Sequence, residues 1–210
     1  MPCVDLQNCP NANNDWHHAA GCPGNVQCYA QLTQGANMNQ VWIQQNITNG
    51  QPLGGGNTTW LENWQRCTLE SIINACVPKS GHLRFNVINA TLQPMRQFHD
   101  QPQPFAWTED FDGMFIRNGQ RYLVNFKFTN NGGGQQNRTM RELYHYIRTQ
   151  VDYLNNNPDC DDIILNILDG DALSPNIQHF QLILNGLDQG IAGQIFIGDT
   201  YTLQQNWPNI

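Results

Sequence analysis

Asp110, Asp112, Asn125 and Lys127 have the types and spacing that metal-assisted hydrolysis would use, because one tight turn brings all four to a common face. They lie within WTEDFDGMFIRNGQRYLVNFKF, residues 107 to 128. Asn118-Gly119 at its centre is a strong hairpin signal, since both central residues of a type I′ turn need positive φ. With those two as the turn, Arg117 faces Gln120. Counting outward pairs Phe115 with Tyr122, Asp112 with Asn125, and Asp110 with Lys127. Side chains alternate along a strand, so Asp110, Asp112, Asn125 and Lys127 share a face. The same count makes Asp112 and Asn125 a non-hydrogen-bonded pair, whose Cα atoms approach to about 4.5 Å.

Hydrolysis of a phosphodiester uses a hard cation, usually Mg²⁺ and alternatively Mn²⁺, held by one or two carboxylates with waters left in its shell. Asp112 opposite residue 125 is such a holder. Lys127, two residues further along the face, is placed to position or deprotonate the attacking water and to stabilise charge on the phosphate. The simplest competing reading makes Asp112-Gly113 a turn and Lys127 an edge-strand lysine that discourages aggregation.

The elements that must position these residues follow from periodicity. Thr59 with Glu62 is a capping-box pattern, and Leu61, Trp64, Thr68, Ile72 and Cys76 continue at helical spacing to a stop at Pro78. His82 to Leu92 reads as a strand, followed by a proline-broken loop and the two hairpin strands. Thr139 with Glu142 is a second capping box, opening a helix that buries Met140, Leu143, Ile147, Val151 and Leu154. Ile163 to Leu168 suits a buried strand. Ser174-Pro175 caps a helix to about Leu187, and Ile191 to Ile197 closes as a strand. The order predicts an α/β fold, a mixed central sheet flanked by helices. Residues 1–57, rich in Asn, Gln, Gly and Cys, read as an N-terminal extension to a domain at 58–210.

The bulk charge of −7 argues against a nucleic-acid binder until it is divided along the chain. Residues 66–148 hold all ten Lys and Arg against six acids, so the hairpin sits in the only net-positive segment. No apolar run approaches the roughly 18 residues of a membrane span, and no basic start precedes an apolar stretch. The chain therefore reads as soluble and cytoplasmic, with no membrane partner and no removable signal. Seven cysteines are an odd number and favour a reducing compartment. Cys3, Cys9, Cys22 and Cys28, with His17 and His18 between them, invite a zinc reading, but their spacings miss the tight pairs of common structural sites. Two disulfides or free thiols stay open beside it.

A helix, three strands with an acid opening the second and an acid-x-Lys on the third, then helix and strand, resembles the PD-(D/E)xK superfamily of restriction-endonuclease-like nucleases. The matching positions are Asp112, Asn125 for the second acid, and Lys127, within an αβββαβ core over roughly residues 59–168. The resemblance implies a Mg²⁺-dependent DNA endonuclease of restriction type, commonly a homodimer, with the backbone carbonyl of Phe126 as a further metal ligand. Glu70 resembles the extra acid that some members contribute from the first helix, and Glu109 or Asp110 are substitutes for it. Gln150 and Tyr153 resemble a helix motif of some members.

Asn125 departs from the pattern. An amide oxygen ligates a cation but lacks the unit charge that draws Mg²⁺ from water, so affinity and turnover should fall. Either an active-site acid has been replaced, or the protein is a weak or inactive member. The helix after the hairpin carries Arg138, Arg141, His145, Arg148 and Gln150, of which Arg138, Arg141 and Gln150 are the candidate DNA contacts. Asp169 and Asp171 are candidates for a second ion or, more simply, for capping. Two rival functions accompany the nuclease reading. One is a secreted nuclease toxin held by an immunity protein, and the other is an inactive nuclease-fold binding protein.

Overall fold

The computed structural model describes residues 58–79, 83–94, 108–129, 134–170, 172–207 and 209–210. The extension at 1–57, with its four cysteines and the zinc expectation, lies outside the described residues, as does Asp171.

Helix α1, Thr58–Ile73, ends where Asn74 adopts a left-handed φ of 53°. Asn tolerates that conformation better than most residues, and it terminates the helix before Pro78 does. Strands β1, Leu83–Asn86, and β2, Thr91–Pro94, follow as an antiparallel pair. The single strand expected over 82–92 is thus a hairpin. Asn86 explains the reversal: its Oδ1 accepts the Ile88 and Asn89 N–H groups, and Ala90 turns at φ 53°. An Asx-type turn of this kind leaves the apolar periodicity looking continuous.

Strand β3, Thr108–Asp110, pairs with β1, making a three-stranded sheet in the order β2-β1-β3. Two residues later β4, Gly113–Arg117, and β5, Gln120–Phe128, form the hairpin expected from Asn118-Gly119, whose φ values are 53° and 82°. Arg117↔Gln120 and Phe115↔Tyr122 are register partners, as counted from the turn. Helix α2, Gly134–Asn156, then crosses to β6, Ile163–Asp169, which runs parallel to β5. Because α2 begins well before Thr139, the second capping box does not form. Glu142 pairs instead with Arg138 one turn back, at 2.7 Å. Strand β6 is buried along its whole length, as expected of a parallel strand covered on both faces.

Where one helix to Leu187 was expected, short turns of 3₁₀ helix flank α3, Ile177–Gln181. Helix α4, Gln189–Gly193, occupies the first half of the expected last strand, leaving β7 as Ile195–Gly198. Helix α5, Thr200–Asn206, is an addition. The fold is mixed α/β, with a second sheet in the order β4-β5-β6-β7 rather than one continuous sheet. No helix among the described residues is long and apolar enough to cross a membrane.

Two cores cover the faces of this second sheet. On one, Leu123, Ile164 and Leu168 meet α2 through Leu143, Ile147, Val151 and Leu154. On the other, Val124, Phe126, Leu165 and Ile167 meet Leu69 and Ile73 of α1 and Leu203 of α5. Alternation along β5 therefore sends odd residues toward α2 and even residues toward α1, which decides what Asn125 and Lys127 can reach.

Candidate active site

The hairpin departs from straight counting at Asp112. The carbonyl of Val124, whose register partner is Gly113, accepts the Asp112 N–H at 2.8 Å, and the chain bends there. Two residues oppose one, the arrangement of a β-bulge, which re-aims the side chains beyond it. Glycine is required at 113: a Cβ would lie 2.6 Å from Val77 Cγ1 and 3.0 Å from Arg66 Nη1. Arg66 anchors the bend by donating to the carbonyls of Asp112, at 2.6 Å, and Val77, at 2.8 Å.

Past the bend the expected pairing of Asp110 with Lys127 fails. Asp110 is the register partner of Arg84 in the other sheet and forms an ion pair with its guanidinium, through Nε and through Nη2 at 3.2 Å. Glu109 instead lies directly opposite Phe85, which belongs to the α2-side core. Directly opposed residues share a face. The bulge has exchanged Asp110 for Glu109.

Asp112 remains beside β5, where its Oδ2 accepts the Phe126 N–H at 2.7 Å. The carboxylate thereby replaces a strand acceptor that β4 no longer supplies. Phe126 packs its ring on the α1 side, while the carbonyl of the same residue leaves β5 on the edge that its N–H takes toward Asp112. Asn125 and Lys127 point to the α2 side, Asn125 buried and Lys127 exposed. The expected pairing of Asp112 with Asn125 does not form, since the register ends at Gly113 and Val124, and the Asp112 carboxylate meets β5 at the Phe126 N–H, between Asn125 and Lys127 in sequence.

Asn125 is tied into a buried amide network. Its Nδ2 donates to Oδ1 of Asn166, its register partner on β6, at 3.0 Å. Asn166 and Gln150 of α2 exchange two further bonds, 2.8 Å from Asn166 Nδ2 to Gln150 Oε1 and 3.2 Å from Gln150 Nε2 to Asn166 Oδ1. Buried amides need such partners, since an unmet one costs about 1–3 kcal/mol. Gln150 is fully buried and serves this network, so it is not a surface contact for DNA. Arg138 and Arg141 are exposed on α2, Arg138 paired with Glu142.

Glu70 is not at the site. It lies fully buried on α1, against the opposite face of the sheet, and its Oε1 accepts the Val77 N–H at 2.8 Å. The stripe expected from Leu61, Trp64, Thr68 and Ile72 leaves Glu70 on the other side of the helix, yet the buried face is that of Gln65, Arg66, Leu69, Glu70 and Ile73, which turns toward Val124 and Phe126. Asp169 also points to that side. It accepts from Gln65 Nε2, Thr200 N and Thr200 Oγ1 at 2.6 to 3.1 Å, which fastens the start of α5 to the end of β6.

Tyr146 and Asn166 escaped the sequence reading. Tyr146 packs edge-on against Phe85 at 5.8 Å and tilted against Phe111 at 5.9 Å, with its hydroxyl buried on the side of Gln150 one turn along the helix. Burial, and then the charges of Asp112 and Glu109, hold its pKa well above the usual phenol value. Asn166 had a signal: it is the one polar residue inside the apolar run Ile163 to Leu168. Glu109 also has a raised pKa, first from partial enclosure by protein, against the pull of the nearby Lys127.

Among the described residues no three His, Cys, Asp or Glu side chains gather as a cation site. The hairpin end offers oxygen donors: the Asp112 carboxylate, the Asn125 Oδ1 and the Phe126 carbonyl. That donor chemistry suits a hard cation, with one formal charge where a nuclease of the resembled type has two. No protein-family model matches the chain, and neither a curated protein nor a solved structure matches it.

Proposed function

We propose that the chain is a divalent-cation-dependent DNA endonuclease of restriction-endonuclease-like type, centred on Asp112, residue 125 and Lys127 and weakened by the amide at 125. The observation that carries the reading is the bond from the Phe126 N–H to the Asp112 carboxylate, which sets that acid against the stretch of β5 that holds residues 125 and 127. The order of α1, antiparallel strands, α2 and a parallel β6 supports it, and it matches the αβββαβ order of such nucleases when β1 with β2, and β3 with β4, each stand for one strand.

Asp112, the Asn125 amide oxygen and the Phe126 carbonyl would hold Mg²⁺. The cation, when bound, would acidify a water and polarise the phosphate. Lys127, exposed on the same face, orients that water and meets charge developing on the phosphoryl oxygens. The amide network holds residue 125 in one orientation, so the donor that faces the cation loses no further freedom on binding.

The test is cleavage of supercoiled plasmid by the native chain and by Asn125→Asp, with and without Mg²⁺. The variant is expected to cut about tenfold faster or more, in a Mg²⁺-dependent manner, as a metal-held water gains its second carboxylate. Equal, negligible cleavage by both forms, each shown to be folded, overturns the reading. One observation favours a second reading, an inactive nuclease-fold binding protein. Asn125 and Asp112 both have structural partners, Asn166 and the Phe126 N–H, that account for them without any cation.

A further inference from the structure

The outer face of α2 changes sign toward its end. Residues 137–148 carry Arg138, Arg141 and Arg148 against one acid, Glu142, whereas residues 149–161 carry Asp152, Asp159 and Asp161 and no base. Arg138 is neutralised by Glu142 at 2.7 Å. Arg141, His145 and Arg148 are exposed, and their spacings of four and three stand them above one another on successive turns. From Arg141 to Arg148 is about 10 Å along the axis. Among the described residues neither arginine forms an ion pair. The placement does not serve the helix itself, because the macrodipole favours acids at the start and bases at the end, and α2 has neither an acid in its first turn nor a base in its last. Dipole and arginines instead add positive potential at one end. That end lies by the bulge: Tyr146, next to His145, packs against Phe111, and the charge of Glu142 reaches Glu109 of β3. Lys127 is exposed on the same side of the sheet.

We propose that Arg141, His145 and Arg148 form a track for the phosphate backbone of a nucleic acid, which runs along the outer face of α2 from the hairpin end and stops before Asp152. The inference rests on the function proposed above for the nature of the polyanion and gives that polyanion a path, in place of the contacts expected of Arg138 and Gln150. A guanidinium fork matches a phosphate, and Arg141 and Arg148 break no ion pair to meet one. Their separation of about 10 Å is the rise of about three nucleotides of one strand. Contacts of this kind fix position and carry no sequence information. The exposed acids Asp152, Asp159 and Asp161 repel a strand that continues past the end of the helix.

The probe is a fluorescein-labelled DNA duplex of about 20 base pairs, its anisotropy followed with the full chain in EDTA between about 50 and 200 mM KCl. Arg141→Gln with Arg148→Gln should weaken binding about tenfold or more at the lowest salt and reduce the slope of log K against log salt by about two, at about 0.9 for each lost phosphate contact. Lys79→Gln removes one charge from the exposed end of the segment after α1 and should leave the slope unchanged. Asp152→Asn should tighten binding about threefold. Equal losses of slope in Lys79→Gln and Arg141→Gln would mean that net charge alone matters, and overturn the track. Undiminished binding by the folded double variant overturns it, as does the absence of duplex binding by the native chain. Displacement of the duplex by poly-glutamate at equal total charge overturns it in favour of an acidic protein partner. Binding that follows the expected pattern, without Mg²⁺-dependent cleavage by Asn125→Asp, supports the track and overturns only the catalytic reading.

Discussion

Replacing Asn125 by Asp tests the environment of that position before any substrate is added. The Asn125 amide donates to Asn166 Oδ1, and a carboxylate cannot. Asn166 and Gln150 can accommodate the change by turning over together. Asn166 Nδ2 then faces residue 125, Asn166 Oδ1 faces Gln150 Nε2, and the pair between them keeps its two bonds. Hydrogen bonding is therefore nearly conserved, and the cost is electrostatic. Residue 125 is 6% exposed, and the Asp112 carboxylate is bonded to the N–H of the next residue, Phe126, so the new carboxyl is buried near a like charge. Two like charges about 5 Å apart at an effective dielectric constant near 20 repel by about 3 kcal/mol. That corresponds to a rise of about 2 units in the folded-state pKa of the new group.

A raised folded-state pKa contributes stability below the unfolded value, near 3.9 for Asp, and loses it as pH rises through the folded value. Asn125→Asp should therefore match the native chain near pH 4 and fall about 3 kcal/mol below it at pH 7.5. Mg²⁺ at ten times its dissociation constant should restore about 1.4 kcal/mol to the variant. Urea unfolding followed by tryptophan fluorescence, at both pH values with and without Mg²⁺, measures each quantity. A variant as stable as the native chain at pH 7.5 without metal would show that Asp112 does not lie near residue 125. Equal Mg²⁺ shifts in both proteins would remove residue 125 from the cation.

Asn166→Leu leaves Asn125 Nδ2 and the Gln150 amide without partners and should cost about 3 kcal/mol in urea unfolding. Asn166→Leu with Gln150→Leu should cost less than the single change, since paired apolar replacement leaves fewer unmet groups. Gly113→Ala should cost about 1–3 kcal/mol, because the added methyl meets Val77 and Arg66 at 2.6 and 3.0 Å and the bend must give. Asp162 is buried, which by itself would raise its pKa, but both Arg121 bonds, at 2.6 and 2.7 Å, and those from Tyr153 and Cys160 hold it below the usual range. A lowered folded-state pKa stabilises above the unfolded value, and that stability is lost as pH falls through the folded value. Asp162→Asn should thus cost about 2 kcal/mol at pH 7, with the difference closing below about pH 4 in an acid-unfolding series.

Features governed by neighbours in sequence were legible. Asn118-Gly119 specified its turn and the register of the first pairs, and the apolar stripe of α2 specified its buried face. The stop of α1 came early because Asn74 needed only a local change of φ, and the capping box at Thr139 was overridden by helix that continues N-terminally to Gly134. Asn86 shows the limit of periodicity. The run from Leu83 to Leu92 alternates like one strand, yet side-chain bonds from Asn86 fold it back on itself. Glu70 shows another. The stripe Leu61, Trp64, Thr68, Ile72 and Cys76 pointed to one face of α1, but the buried face is the one that carries Leu69, Glu70 and Ile73, and neither spacing nor composition told which face of the sheet α1 would cover.

The hairpin that carries the candidate site was legible, but Asp110, Glu70 and Gln150 do not lie where the sequence suggested, and the strand count fails at one residue. Counting from a hairpin turn is dependable only while each residue opposes one partner, because strand side chains repeat with a period of two and a single inserted residue reverses every face beyond it. Asp112 and Gly113 both opposing Val124 is such an insertion. Nothing in FDG announces it except the glycine, whose missing Cβ admits Arg66 and Val77 to the bend. The consequence is chemical rather than only geometric. With straight counting the face holds Asp110 and Asp112, and the ion pair of Asp110 with Arg84 would have no place. With the bulge Asp110 is neutralised in the neighbouring sheet, and Glu109 is turned toward Lys127 and Tyr146. The reach of Arg66 to the Asp112 carbonyl therefore holds the bend before which Asp110 and Glu109 exchange the faces expected of them, although Arg66 lies on the far side of the sheet.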